Sequence, residues 1–470
     1  MNRPNVSLHI FINVVILICA SLPASAQTEL SSELQRKIDT IATGILAETG
    51  VPSASMAIVK DGRIAYVNAF GDGRVEPRIP ASPDMRFSVG SISKQFTATA
   101  ILLLQEEGKL SLDDKVSKYV PDLTRANEVT IRQLLSHTSG YQDFWPQDYV
   151  MEPMLHEVTS SKIMDIWGHK PLDFDPGTQW QYSNTNYVIA GVIAEKVAGM
   201  PLFQFLQDRI FVPLGMKSVA NIDEKKLGDA DATGYLRYAL GPLHPAPKEG
   251  KGWLFAMGEL SMTAKDLARW DISIIDERLM KPSSYKELET EILLADGLGT
   301  NYGLGVGVSK IDVHRALSHG GEVSGFTAEN IVFPDDSGAV VVLTNQDAAD
   351  AANDIARSIA AMLFVSEDST TTAKLDQARK VFDGLQHGTI DRSLFTDDAN
   401  YYFNDEALKD FSSSLAPLGK PEAFVQVSHS LRGGMTLRIY RIRFPRKTLM
   451  AVTYETSDGK LEQYQIIEQE

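Results

Sequence analysis

The fold is decided by residues 87–96, which read FSVGSISKQF and join a short apolar approach to a run that is apolar on almost every face. That run continues to Leu104 and stops at Gly108, so the stretch predicts a buried helix with a glycine cap. Ser91 and Lys94 are three positions apart, which brings both side chains to the same helix face. An amine beside a hydroxyl can accept its proton, so this pair is a candidate nucleophile and base.

The spacing Ser-x-x-Lys does not identify a site alone, because the chain contains it three times. Residues 283–286 follow a proline and open a helical run, which is typical of a helix cap. Residues 457–460 lie between two alternating runs and predict a hairpin turn. Only Ser91 has the context of a buried helix, and it is therefore the candidate nucleophile.

The first 26 residues have the pattern of an export signal. Arg3 supplies an early positive charge, an apolar run follows from Val14 to Leu22, and small residues at 24–26 form a cleavage pattern. The apolar run is too short to cross a bilayer, so we expect a periplasmic or secreted protein with no stable membrane anchor after cleavage. The single cysteine, Cys19, lies in this segment, so we expect no disulfide in the mature chain.

Strand patterns at both ends of residues 27–364 flank a mostly helical middle. Asp61 and Gly62 separate two alternating runs and predict a hairpin, and strand patterns return between residues 306 and 345. We predict an α+β fold in which one antiparallel sheet is flanked by helices and an all-helical subdomain is inserted. Ser91 would then lie at their junction, where pockets are common.

A linker separates a second folding unit from this one. Residues 365–373 read VSEDSTTTA, a polar stretch without a regular pattern. Residues 374–470 contain helical patterns followed by alternating runs, which predict a small C-terminal α+β domain. The sequence RGGMT at 432–436, before a long strand pattern, is similar to the cone-shaped barrels of the nuclear-transport-factor superfamily.

Charge and composition exclude some classes of function. The formal net charge is −16, and acidic and basic residues are interspersed without a basic stripe, so we expect no nucleic-acid partner. The histidines outside the motifs show no metal-ligand spacing, so we expect neither a metal nor another cofactor. The expected partner is a small-molecule substrate, which the candidate Ser91–Lys94 pair implies and the composition does not.

Two further polar motifs follow the Ser91 stretch. Tyr182-Ser183-Asn184 lies between a turn and an apolar helix, a position from which polar groups can face a cleft. His319-Gly320-Gly321 ends a predicted strand and is followed by Glu322. The two glycines allow a ligand to approach the backbone closely.

The order of the three motifs resembles the serine β-lactamase and penicillin-binding-protein superfamily, nearest to its class C and esterase-like branch. Flanking phrases are similar as well: GKLSLDD at 108–114, LSHTSG at 135–140 and Pro-Gly at 176–177. The resemblance covers roughly residues 29–364. It implies the superfamily fold and acyl transfer through a covalent serine intermediate, without a cofactor.

The resemblance also implies a role for each motif residue. Ser91 would be the acylated nucleophile, Lys94 and Tyr182 its general bases, and Tyr182 also the relay of protons to the leaving group. Asn184 would hold Lys94 and the substrate amide, and the backbone N–H groups of Ser91 and Glu322 would form the oxyanion hole. A neutral Lys94 at pH 7 requires that burial lower its pKa by ~3 from about 10.4.

His319 departs from the superfamily pattern, which usually has Lys or Arg at this place to bind a substrate carboxylate. An unperturbed histidine titrates near pH ~6.5 and is mostly neutral at pH 7. A neutral His319, with Gly320 and Gly321 opening space beside it, favours substrates without a free carboxylate. It also predicts that carboxylate substrates react better at about pH 5.5 than at about pH 7.5. The alternative is a strand-end histidine that only bonds to backbone.

The sequence therefore predicts an exported serine hydrolase that acts on small esters or on D-amino-acid amides and peptides. Two alternatives stay open: a β-lactamase, and a penicillin-binding or cell-wall-sensing protein that acylates with little turnover. The rate of deacylation distinguishes the second alternative from an enzyme.

The three Ser-x-x-Lys sites give the first testable prediction. We expect Ser91→Ala to abolish covalent labelling by a fluorophosphonate probe, because only Ser91 has a buried base beside it. Ser283→Ala and Ser457→Ala are the matched controls and should label like the unmodified protein. Labelling that persists in Ser91→Ala, measured by in-gel fluorescence, would show that another residue is the nucleophile.

Overall fold

A computed structural model describes residues 29–147, 149–311, 313–364 and 371–468. The predicted export signal at 1–26 and most of the predicted linker lie outside these ranges. The α-helices are α1 (Ser32–Thr49), α2 (Ser93–Glu106), α3 (Ile131–Leu135), α4 (Ser160–Ile163), α5 (Asn184–Ala198), α6 (Leu202–Leu206), α7 (Val212–Leu214), α8 (Ala264–Ile275), α9 (Pro282–Glu289), α10 (Ala351–Leu363), α11 (Thr371–Gln386), α12 (Asp397–Tyr402) and α13 (Asp405–Leu415). The strands are β1 (Ser53–Lys60), β2 (Arg63–Arg74), β3 (Ile79–Pro80), β4 (Phe87–Ser88), β5 (Ala220–Asn221), β6 (Tyr235–Arg237), β7 (Leu243–Pro245), β8 (Leu260–Met262), β9 (Gly307–Ile311), β10 (His314–Val323), β11 (Phe326–Phe333), β12 (Gly338–Thr344), β13 (Ala423–Arg432), β14 (Met435–Phe444), β15 (Lys447–Glu455) and β16 (Leu461–Glu468).

The main sheet has seven strands in the order β3-β2-β1-β12-β11-β10-β9. Its neighbouring strands run antiparallel, and β1 from the start of the chain pairs with β12, with Met56 opposite Val342. The hairpin between β1 and β2 turns at Asp61 and Gly62, both at positive φ, as the Asp-Gly pair predicted. Two distant parts of the chain therefore form one sheet, and the helical segments lie between them in sequence.

Helices cover both faces of this sheet. Every residue of β11 and β12 is buried, which is the pattern of strands covered on both sides. Alternate residues of β12 pack into different cores: Val340 and Val342 face α1 and α10, whereas Val341 and Leu343 face the core around α2, α5 and α8. The larger of these cores positions α2 between the sheet and the helical middle of the chain.

The predicted α+β class and the antiparallel sheet with flanking helices are confirmed. The middle of the chain is less purely helical than expected, because it contains the small sheet β4-β8-β5 and the hairpin β6-β7. These strands are two or three residues long, too short to show an alternating pattern. They matter for the site, because β8 pairs with β4 directly before Ser91.

The C-terminal unit has its own core. Helices α11, α12 and α13 pack with a four-stranded antiparallel sheet in the order β13-β14-β15-β16. The helix α12 was not predicted, and α11 begins at Thr371, slightly before the expected boundary at 374. The division into domains and the likeness to nuclear-transport-factor barrels stay predictions.

No single helix in the described ranges is long and apolar enough to cross a membrane. The segments Asn184–Ala198 and Leu202–Leu214 reach that length and composition only as a pair bent by 72°. Within the same ranges, no group of three or more His, Cys, Asp or Glu side chains could hold a metal ion.

Candidate active site

Two glycines bring Ser91 against the edge of the main sheet. Ser91 lies in a single 3-10 turn, Gly90–Ile92, which leads directly into α2. The sequence predicted that Ser91 opens the helix, and the α-helix begins two residues later, at Ser93. Gly90 has φ +50, and a Cβ there would lie 2.7 Å from the backbone nitrogen of Glu322. A Cβ on Gly321 would lie 2.0 Å from the carbonyl oxygen of Val89. The turn can therefore meet β10 only with glycine at both positions.

This close approach sets the Ser91 backbone beside that of Glu322. Both backbone N–H groups were predicted to form the oxyanion hole, and their proximity is compatible with that role, which stays a prediction. The Glu322 side chain is exposed and accepts a hydrogen bond from the Ala348 backbone N–H at 2.8 Å. Gly320 is exposed at the same strand edge.

Lys94 lies under the nucleophile and is completely buried. Its Nζ is 2.9 Å from Ser91 Oγ, 2.9 Å from Asn184 Oδ1 and 3.0 Å from the Met257 carbonyl oxygen. Burial lowers the pKa of Lys94 to about 7, and the charge of Asp143 acts in the opposite direction. A large fraction of the Lys94 amine is therefore neutral at neutral pH.

The three contacts of Lys94 suit both of its protonation states. An ammonium has three N–H donors, one for each neighbouring oxygen. A neutral amine keeps two N–H donors for Asn184 and the Met257 carbonyl, and its lone pair then accepts the Ser91 hydroxyl proton. The site can thus take a proton from Ser91 without any heavy atom moving.

Tyr182 also contacts Ser91. Its hydroxyl donates to Ser91 Oγ at 2.7 Å, and the Lys94 Nζ lies 4.9 Å from the centre of its ring. Burial raises the pKa of Tyr182 far above its ordinary value, so the phenol is protonated at neutral pH. A neutral Lys94 can accept the Ser91 proton, and the protonated Tyr182 donates to Ser91 Oγ; the roles of both residues as general bases stay predictions.

The ring of His137 supports Tyr182 from behind. The two ring centres are 4.3 Å apart, and the Ser183 backbone N–H donates to His137 Nδ1 at 3.2 Å. His137 has φ +60, and burial lowers its pKa well below the ordinary value. It is therefore neutral at neutral pH and packs behind Tyr182.

His319 is buried and both of its ring nitrogens are engaged. Nδ1 lies 2.6 Å from the Gly320 carbonyl oxygen, which can only accept, so Nδ1 carries the proton. Nε2 then accepts from the Tyr302 hydroxyl at 2.8 Å. Burial, together with the nearby Lys94 charge, lowers the pKa of His319 to about 4. The expected titration near pH 6.5 is therefore wrong, because that value applies to a solvated ring.

Sequence reasoning missed three groups at this site. Asp143 hydrogen-bonds to Asn184, Tyr302 bonds to His319, and the Met257 carbonyl accepts from Lys94. None of these groups belongs to a motif, and the role of a backbone carbonyl cannot be predicted from the residue type, because every residue has one. The only available signal was the position of Asp143 shortly after LSHTSG, and its residue type alone says little there.

A cavity of about 380 Å³ opens over Ser91. Three carboxyl side chains line it, Asp143, Glu322 and Asp347, and no lysine or arginine does among the described residues. The other lining residues are Ser91, Trp145, Pro146, Gln147, Tyr149, Val150, Gln181, Tyr182, Asn184, Met257, Val323 and Ser324. The cavity is therefore acidic and suits neutral or cationic molecules better than anions.

Comparison with known sequences identifies related proteins. Residues 38–362 match the family described as Beta-lactamase. Protein flp of Staphylococcus aureus (strain MW2) is 31% identical over 330 residues, which cover 67% of this chain and 64% of that protein. This chain therefore spans less than two thirds of the length of protein flp. Penicillin-binding protein 4* of Bacillus subtilis (strain 168) is 28% identical over 310 residues, 63% of this chain and 68% of that protein.

Solved structures share the fold. The octameric penicillin-binding protein homologue from Pyrococcus abyssi superposes with a TM-score of 0.64 at 23% identity, over 93% of this chain and 96% of that one. A match of this extent reaches beyond residue 364 into the C-terminal unit. The D-stereospecific amidohydrolase from Streptomyces sp. has a TM-score of 0.61 at 27% identity, over 70% of this chain and 99% of that one.

The buried, neutral His319 leads to a prediction about substrate charge. We expect His319→Lys to raise kcat/KM for a substrate that bears a carboxylate by roughly ten- to a hundredfold, because a charge-assisted hydrogen bond contributes about 1.5–3 kcal/mol. A matched neutral substrate should change much less, and His319→Gln, which adds no charge, is the control. For the unmodified protein, the ratio of the two kcat/KM values should be flat from about pH 5.5 to 7.5, since the pKa of His319 is about 4. Equal shifts of both substrates in His319→Lys would make His319 purely structural.

Proposed function

This chain belongs to the beta-lactamase family, and from that premise we propose that it is a serine hydrolase that cleaves small amides and esters through an acyl-enzyme on Ser91. The observation that carries the proposal is the contact of Ser91 Oγ with both Lys94 Nζ (2.9 Å) and Tyr182 Oη (2.7 Å). A hydroxyl held between an amine and a phenol has a base on one side and a proton donor on the other.

Acylation begins with neutral Lys94. The amine takes the Ser91 hydroxyl proton while Oγ forms a bond to the substrate carbonyl carbon. The negative charge that develops on the substrate oxygen faces the backbone N–H groups of Ser91 and Glu322. The new ammonium stays bound to Asn184 Oδ1 and the Met257 carbonyl, so the proton is held close to the reacting atoms.

The leaving group then needs that proton. Tyr182 Oη is on the open side of Ser91 and lines the cavity, whereas Lys94 is buried below. Tyr182 gives its proton to the departing nitrogen or oxygen as the carbonyl–leaving-group bond breaks, and the Lys94 ammonium then returns a proton to the Tyr182 phenolate, which leaves Lys94 neutral and Ser91 Oγ esterified. Water repeats the sequence on the acyl-enzyme and releases the acid.

The charge of the cavity supports substrates without a carboxylate. The lining carboxyl groups of Asp143, Glu322 and Asp347 repel an anion, and His319 is neutral and hydrogen-bonded to Tyr302. A substrate with a free ammonium group, such as an amino-acid amide, is attracted by the negative charge of these carboxyl groups. The 27% identity to a D-stereospecific amidohydrolase supports amides of D-amino acids as the first class to test.

The names of other relatives support a second candidate. Penicillin-binding protein 4* of Bacillus subtilis is 28% identical to this chain, and a penicillin-binding protein from Bacillus halodurans shares its fold at 26% identity. A protein of that kind would acylate Ser91 with a β-lactam and release it slowly. β-Lactam hydrolysis is the corresponding enzymatic alternative, and the acidic cavity makes it the less favoured one.

We also propose that the protein is exported. The proposal rests on the charge, the apolar run and the small residues of positions 1–26, which lie outside the described residues. Either a periplasmic or a secreted location fits this pattern.

A matched panel of chromogenic substrates tests the proposed function. It contains p-nitrophenyl acetate, the p-nitroanilides of D- and L-phenylalanine, the N-succinyl derivative of the D-anilide, and a chromogenic cephalosporin. We expect steady turnover of the ester and the D-anilide, and a kcat/KM at least about tenfold lower for the succinyl derivative, because it replaces an ammonium by a carboxylate.

Three outcomes would contradict this function. Preferred turnover of the cephalosporin would make the protein a β-lactamase. One equivalent of released chromophore with no later turnover would make it an acylating binder. Turnover unchanged in Ser91→Ala would exclude an acyl-enzyme on Ser91.

A further inference from the structure

Asp143 is an acidic residue at the active site that belongs to none of the three motifs. It lies in the loop between α3 and α4 and lines the cavity over Ser91. Its Oδ1 accepts the backbone N–H of Asn184 at 2.9 Å and that of Trp145 at 3.1 Å. Its Oδ2 accepts from Asn184 Nδ2 at 3.3 Å. One carboxylate thus binds both the main chain and the side-chain amide of Asn184.

This pairing determines which way the Asn184 amide faces. An ionised carboxylate only accepts hydrogen bonds, so the NH₂ group of Asn184 must face Asp143. The amide oxygen is then directed at Lys94 Nζ, 2.9 Å away. If the amide turned over, its NH₂ group would face the Lys94 ammonium, and one of the three acceptors around Lys94 would be lost.

Opposing effects act on the charge of Asp143: burial raises the pKa of its carboxyl, whereas the hydrogen bonds from Trp145 and Asn184 and the Lys94 charge lower it. Asn184 is the first residue of α5, so the carboxylate lies at the helix N-terminus, where backbone N–H groups and the helix dipole stabilise negative charge. The site does not depend on this dipole alone, because the side-chain amide of Asn184 and the Trp145 N–H also donate to the carboxylate.

The other titratable groups around Lys94 carry no negative charge at neutral pH. Tyr182 is protonated, and His137 and His319 are neutral because they are buried. Asp143 is the charged group whose field acts on Lys94, and it raises the pKa of the amine against the larger effect of burial. Glu322 is exposed and bonds to the Ala348 backbone, so its field is better screened.

We propose that Asp143 is a positioning residue for acylation, which holds the Asn184 amide with its oxygen toward Lys94 and so keeps the Lys94 lone pair aimed at Ser91. The inference rests on the proposed acylation of Ser91. Asp143 acts through Asn184 and Lys94 and forms no bond to the substrate. Its removal should therefore change the rate and pH dependence of acylation more than substrate binding.

The test is Asp143→Asn, which keeps the size and the oxygen that accepts from the two backbone N–H groups. The new amide would set an NH₂ group against that of Asn184, and the Asn184 amide must turn over to avoid it. We expect kcat for the D-phenylalanine anilide to fall about ten- to a hundredfold, with KM changed less than about threefold. The exposed Asp175→Asn, which removes a carboxylate paired with Arg125, is the matched control.

The pH profile gives a readout that a purely structural residue would not move. The basic form of Lys94 is the active one, so kcat/KM rises with pH through the pKa of Lys94, which is about 7. Removing the negative charge favours the neutral amine, so the acid limb of Asp143→Asn should move to lower pH. The limb of Asp175→Asn should not move.

A swapped pair, Asp143→Asn with Asn184→Asp, provides a second test that does not depend on one variant folding well. The pair again has one amide donor opposite one carboxylate acceptor, and it moves the carboxylate to position 184, next to Lys94. We expect kcat on the alkaline plateau to recover at least about threefold over Asp143→Asn, and the acid limb to move above that of the unmodified protein.

The outcomes separate this inference from the proposed function. If the unmodified protein forms no acyl-enzyme, the function itself is wrong. If it does, and Asp143→Asn keeps kcat and the acid limb within error, Asp143 does not position the amide. A lower melting temperature with unchanged kinetics of the folded protein would likewise overturn the inference. Asp143 would then only stabilise its loop.

Discussion

The structure depends on one energetically unfavourable feature: the Lys94 amine is buried beside the Ser91 hydroxyl. A pKa of Lys94 lowered from 10.5 to about 7 corresponds to a free-energy cost for the ammonium on the order of 5 kcal/mol. The fold provides the apolar surroundings that impose this cost. It also provides three oxygens that accept hydrogen bonds from Lys94 when the amine is protonated. The reactivity that we propose for Ser91 therefore depends on how completely α2 is buried.

That burial requires the sheet to be assembled from both ends of the catalytic unit. Strands β1 and β12 close the sheet, and β10 then passes the Ser91 turn at a distance that only glycine at 90 and 321 permits. The helical middle of the chain packs against α2, so that Asn184 contacts Lys94 and Tyr182 contacts Ser91. Core packing and catalysis are thus coupled, because loosening either element would admit water to Lys94 and raise its pKa.

The local part of this arrangement could be predicted, and the non-local part could not. Ser91 and Lys94 are close in sequence and open an apolar helical run, and the strand patterns of β1, β2 and β10–β12 are local, so short stretches of sequence were enough to predict them. Tyr182, Asn184 and His319 became candidates through their positions beside a helix and at a strand end, and the resemblance to a family implied their roles. Asp143 was not predicted because its partner is 41 residues away, and a sequence does not show which distant amide a carboxylate will contact.

The pKa of His319 was not predicted for a related reason. Burial and the contact with the Tyr302 hydroxyl determine it, and neither can be read from the residue type. The 3-10 turn at Ser91 depends on contact with β10, which local propensity does not include.

The central claim, that burial makes Lys94 a neutral base at physiological pH, can be measured directly. The protein is labelled with ¹³C at the lysine side-chain Cε, and the Lys94 resonance is assigned by its absence from Lys94→Arg. This account predicts that the resonance titrates with a pKa of about 7, while exposed lysines titrate above pH ~10. A Lys94 resonance that titrates together with the exposed lysines would contradict it, because a charged ammonium cannot take the Ser91 proton.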